Sequence, residues 1–325
     1  MTIKVGILVL ALLAFGAGRL FYESALTREL DAARLFPVEL QLETRDRVDQ
    51  TSWAVALGGL RTLVASMMNL RAFTYFSEQR WEEVKKTYDS MVDLAPRTRH
   101  YWETGSWHQA YNAASYYLND SELPPARRRE SWRASIHWGR AFLERGIRNN
   151  PDDPALRAYL GTMLLDPNKF IAFKDKDEVF LAAAAAYDFA AKSGKMPAYA
   201  ARFQLYALAR IKGREAETLR LARFLHASSP QNRTPTLMML LYVFECHADP
   251  DLDVESKAVA LYGSPRQAYD ALSKYWLRSR DGYPVHGMAK GLKALETTLK
   301  IPAKDSVLNQ TPLPPPDPSV WFRSP

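Results

Sequence analysis

Cysteine is nearly absent: Cys246 is the single thiol in 325 residues. An intrachain disulfide framework and any multi-cysteine metal site are therefore excluded. The chain has no glycine-rich phosphate loop and no G-x-S-x-G elbow, and its six histidines, at 100, 108, 137, 226, 247 and 286, nowhere take H-E-x-x-H spacing. DPDLDVES, Asp249 to Ser256, alternates carboxylates but lacks the glycine and terminal glutamate of a calcium loop, so it reads as a solvated loop. Cys246 and His247 are adjacent, and adjacent helical residues point about 100° apart, which separates thiol from imidazole. Glu103 and His108 are five apart and do not face each other on a helix. Strand patterning is scarce as well. Val38, Leu40 and Leu42 in VELQLET alternate with period two, and nothing of similar quality follows. These absences lead us to expect no catalytic residues, no cofactor and no metal.

What is present is apolar and helical. The apolar share of 47% against 24% charged suits a folded chain, and the length suits two domains or one extended array. The net charge of +7 permits attraction to an anionic surface. The basic residues are mostly interleaved with acidic ones. Arg127, Arg128, Arg129 and Arg133 are the exception and read as a solvated helix start, so nucleic acid is not an expected partner.

The N-terminus opens with Lys4, an uncharged run of 14 residues from Val5 to Gly18, and Arg19. At about 1.5 Å per residue the run spans roughly 21 Å, short of the roughly 30 Å hydrocarbon layer. A cleaved secretory signal fits the short run and the small residues Gly16, Ala17 and Gly18. An uncleaved anchor also fits, with Lys4 and Arg19 snorkelling to the two interfaces and Leu20 to Tyr22 extending the run; it is the favoured reading. Lys4 holds the N-terminus inside, so the bulk of the chain is expected outside the cytoplasm, on the periplasmic side in a bacterium. Residues 1–22 are thus read as anchor or signal, and 23–50 as a stem helix followed by an extended segment.

From residue 51 to 300 the pattern is helical. The long apolar stretch from Thr51 to Gln79 would place Arg61 near the middle of a membrane span, at a cost of about 2.5–3.5 kcal/mol. A helix buried on two sides in a helical array avoids that cost. The next helix ends at Pro96. Ala72, Tyr75, Tyr88 and Pro96 then fall in a small–aromatic–aromatic–proline order. The order recurs with a helix closed by Pro151, the pair Leu160-Gly161, then Ala183, Tyr187 and Ala190, a turn at Gly213-Arg214, and closure at Pro230. Pro197 and Pro230 are 33 apart, close to one repeat.

This pattern resembles the tetratricopeptide repeat (TPR), over about residues 60–230 and most specifically over 150–230. Val84 departs from it, standing where the family prefers alanine. The resemblance implies an all-α solenoid of antiparallel helix pairs that binds protein or peptide partners, here following an N-terminal transmembrane helix. Function would then be that of a membrane-tethered scaffold, or of an accessory subunit held permanently in a larger membrane machine.

Within the array, YWETGSWHQAYNAASYY reads as one helix. Trp107, Tyr111, Ala114 and Leu118 form the expected core stripe. Tyr101, His108, Asn112 and Tyr116 form an adjacent stripe and are candidate partner-binding residues. The tail, residues 301–325, is proline-rich. Pro312, Pro314, Pro315, Pro316 and Pro318 enforce an extended form, and Trp321 and Phe322 beyond them are candidate docking residues.

Overall fold

The computed structural model describes residues 61–278 and 282–310. The expected anchor, stem and extended segment, the first ten residues of the helical region, and Trp321 and Phe322 lie outside the described residues. Among the described residues the protein is all-helical, with no strand.

The elements in order are α1 (Arg61–Ser77), α2 (Trp81–Leu94), α3 (Arg99–Trp107), a π-helical turn (His108–Ala113), α4 (Ala114–Asn119), α5 (Pro125–Asn149), α6 (Pro154–Leu165) and α7 (Pro167–Phe170). There follow α8 (Lys176–Lys192), α9 (Tyr199–Leu208), α10 (Glu215–Ser228), α11 (Pro235–Ala248), α12 (Val254–Tyr262), α13 (Pro265–Leu277) and α14 (Met288–Thr298), with short 3-10 turns at Pro230–Asn232, Ala303–Asp305 and Val307–Asn309. Proline sets several boundaries. It closes α2, α5 and α10 from just beyond their ends, at Pro96, Pro151 and Pro230. It also opens α6, α7, α11 and α13, where its missing N–H costs nothing. Asp153, Asp166, Asp175, Thr234, Asp253 and Ser264 cap the helices that follow them by accepting backbone N–H bonds. Asp253 thereby gives the acidic loop before α12 a structural role.

Two compact units divide the chain: residues 1–109 with 145–151, and 110–144 with 152–325. In the first, α1 and α2 fold back on each other across a three-residue turn and meet through Ala65, Ala72, Val84, Tyr88 and Met91, all nearly inaccessible. The Tyr88 hydroxyl donates to Asn69. Phe76 also turns in, against Trp81 and His108, but four large side chains of α1 point the other way. Leu63, Met67, Leu70 and Phe73 are 56–73% exposed. The expectation that this helix is covered on two sides is met on one side only among the described residues.

In the second unit, α8 packs between α6 and α9. Gly161 of α6 seats the ring of Tyr187, and a Cβ there would lie 2.6 Å from Cε2. The Tyr187 hydroxyl and Thr162 hydroxyl are hydrogen-bonded at 2.8 Å. Ala183, Tyr187 and Ala190 are fully buried, as their small, aromatic and small positions in the sequence imply. Further along, α10 packs on α11, and α12, α13 and α14 pack on one another. Their core includes Leu237, Leu240, Tyr242, Ala258, Leu272 and Leu292. At its end, buried Glu296 of α14 accepts from the Tyr269 hydroxyl, the Ser306 hydroxyl and the Val307 amide. This fixes the 3-10 turn at Val307–Asn309 onto α13 and α14.

Candidate functional site

The aromatic stretch from Tyr101 to Tyr117 is one continuous helix with a wide turn inside it. The buried set is Tyr101, Trp102, Gly105, Ser106, Gln109, Ala110, Ala113 and Ala114. Its spacing of four drifts by about 40° at each step of an ordinary α-helix. A π-turn, with i→i+5 bonds, holds such a spacing on one side. The expected stripes therefore hold only in part: Ala114 is buried as expected, but two residues change sides. Trp107, assigned to the core, is 44% exposed, and Tyr101, assigned to a binding face, is 7% exposed.

In the first unit, the ring of His108 lies 4.7 Å from that of Phe76, 5.6 Å from Tyr88 and 5.8 Å from Trp107. Nearby, Trp102 Nε1 donates to the Pro96 carbonyl and Gln109 Nε2 to the Trp81 carbonyl. Burial among these rings pulls the His108 imidazole down to about 4. The folded ring stays neutral, while the unfolded one takes a proton near about 6.5. Its contribution to stability is complete above about 6.5 and declines as pH falls towards about 4. Urea titrations at pH 7 and pH 5 should show a smaller acid-induced loss for His108→Phe than for the wild type. Equal losses would remove His108 as the cause.

Asn112 and Tyr116 belong to the second unit and are half-buried, Tyr116 packing edge-on against Tyr117 at 5.4 Å. Of the four candidates, Tyr101 is buried and His108, Asn112 and Tyr116 are half-buried. Tyr111, between them, faces Lys169 of α7, whose ammonium lies 4.6 Å from the ring centroid. Lys169 is only 7% exposed, and burial lowers its amine against the pull of Asp166. The same burial, aided by Asp166, raises the Tyr111 phenol. This cation–π contact ties the segment DPNKF to the π-turn.

A second arrangement, missed in the sequence, is a groove enclosing about 360 Å³ in the second unit. His137, Arg140, Ala141 and Glu144 of α5 form one wall; Phe173, Lys174, Asp175 and Glu178 form the other. Arg140 donates to both oxygens of Glu178, at 2.5 and 2.9 Å, and to Glu144 at 2.7 Å. These bonds raise the guanidinium and, through Arg140, hold the Glu178 carboxyl below its ordinary range. Phe173 is the floor, with the His137 ring at 4.5 Å and Arg140 at 5.2 Å. His137 Nε2 donates to the Ala172 carbonyl. Three carboxylates against two cations make the groove acceptor-rich over an aromatic floor. That suits a basic or amide-bearing side chain of a peptide.

Cys246 packs against Gly287, where a Cβ would lie 2.4 Å from its own, and burial pushes its thiol up. His247 instead meets His286, with ring centroids 4.5 Å apart. The two neighbours diverge, as their helical spacing requires. Among the described residues no group of three or more His, Cys, Asp or Glu is disposed to hold a metal ion. No described helix is long and apolar enough to cross a membrane. The chain matches no protein-family model, no curated protein and no solved structure.

Proposed function

We propose that this chain is a membrane-tethered scaffold outside the cytoplasm, its helix pairs forming a TPR-like solenoid that holds a protein partner. The repeat reading is supported by the close seat of Tyr187 on Gly161, with Ala183 and Ala190 buried beside it. The tether reading is supported by the apolar run between Lys4 and Arg19. The observation that carries the binding reading is the groove of Phe173, His137 and the Arg140 clamp. It presents an apolar floor and oriented acceptors at a rim where Glu178 and Glu144 remain 49% and 37% exposed. Arg140, already held by two carboxylates, serves to orient them.

A photo-reactive amino acid at Lys174, at the rim, should form a discrete adduct with one envelope protein in intact cells. Ala141→Trp, which fills the groove, should abolish that adduct while leaving the protein folded. An adduct unaffected by Ala141→Trp, or no adduct at all, would overturn the groove as the binding site.

A further inference from the structure

The first helix turns Ala65, Ala72 and Phe76 inward and four large side chains outward. Ala65 and Ala72 face α2, at 0% and 1% exposure. Leu63, Met67, Leu70 and Phe73 are 56%, 63%, 73% and 70% exposed. At about 100° per residue these four fall within an arc of about 120°, the width of an apolar stripe that normally meets a core. Ser66, Thr74 and Ser77 are the other residues on that arc, and none is charged. The helix carries Arg61 and Arg71 and no acidic residue at all. Arg71 donates Nε to the Tyr75 hydroxyl, which holds the guanidinium beside the stripe.

We infer that this face of α1 lies in the polar–apolar boundary of a lipid bilayer. An interfacial helix places its apolar side chains about 5–10 Å into the boundary and keeps its cations at the phosphates. The α1 stripe, with Arg71 at its edge, has that arrangement, and the lack of carboxylates removes repulsion from anionic headgroups. A span is a poor fit, because the opposite face of the same helix is packed on α2. A second copy is also a poor fit. With roughly 200 Å² for a large apolar side chain, four of them at this exposure offer on the order of 500 Å², short of the roughly 800 Å² per partner typical of a stable interface. The inference rests on the tether reading, since the apolar run ending at Gly18 keeps α1, starting at Arg61, at high effective concentration near the bilayer.

The test uses the full-length chain reconstituted into vesicles of mixed neutral and anionic phospholipid. Met67→Cys, in a Cys246→Ala background, carries an environment-sensitive fluorophore. A second preparation retains Cys246, whose half-buried thiol of raised pKa reacts more slowly than an exposed one. Lipids with a nitroxide near the headgroup should quench the label at least twofold, and aqueous iodide should quench it little. Four results overturn the inference. Strong iodide quenching places the face in water. A blue-shifted label that lipid nitroxides do not reach places it under another part of the chain or a protein partner. A blue shift lost on dilution of the chain among vesicles places it against a second copy. A chain that fails to float with the vesicles removes both the inference and the tether, whereas the first three results leave the tether standing.

Discussion

Tyr187→Ala is expected to lower the free energy of unfolding by about 3–5 kcal/mol, the range for deleting a large ring from a well-packed core. The ring is fully buried, lies over Gly161, meets Phe203 at 5.4 Å, and shares a hydrogen bond with Thr162. Its partner variant has a sign that depends on the ring. In the wild type, Gly161→Ala puts a methyl 2.6 Å from a ring carbon and should cost about 1–3 kcal/mol. In the Tyr187→Ala background the clash is gone. Alanine should then stabilise α6 by up to about 1 kcal/mol through its higher helix propensity. Chemical denaturation of the four proteins completes the cycle. Additive effects would mean that the two positions do not touch, and the repeat reading would lose its best local support.

Glu296→Ala is expected to cost about 3 kcal/mol. It strands three buried donors, on Tyr269, Ser306 and Val307, each worth about 1–3 kcal/mol before water relieves them. Burial first, and the Glu296 carboxylate second, hold the Tyr269 phenol above its ordinary value. Glu296→Gln keeps an acceptor and should cost roughly half as much. Amide exchange at Val307 should quicken in the alanine variant well before global unfolding. Unchanged exchange there would show that apolar packing, and not the carboxylate, holds the turn. The result bears on the tail, because residues 311–325 leave from a turn that Glu296 pins.

The pairing of helices was legible because proline and small–aromatic spacing act locally. Pro96, Pro151 and Pro230 end helices by chemistry that needs no tertiary context. Gly161 and Tyr187 are 26 residues apart, yet the missing Cβ of one and the ring of the other fall at matched positions of a paired unit. The aromatic stretch was misread because its stripes assumed 3.6 residues per turn throughout. Exposed Trp107 and buried Tyr101 are the result. The groove was not legible. Arg140 and Glu178 are 38 apart, and only the path of the connector through Phe173 brings them together. Lys169 was hidden likewise, since a lysine in a connector reads as solvated until the fold covers it.

The wide turn has a consequence for how this chain tolerates insertion and deletion. An α-helix has no slack: adding or removing one residue rotates everything beyond it by about 100°. The division between the two compact units falls inside the π-turn, between Gln109 and Ala110. Excising one residue there would let the turn relax to α-geometry, and Tyr116, Tyr117 and Leu118 would stay close to their present bearings. The turn thus stores one residue of slack in the helix, so a single deletion is absorbed where it occurs.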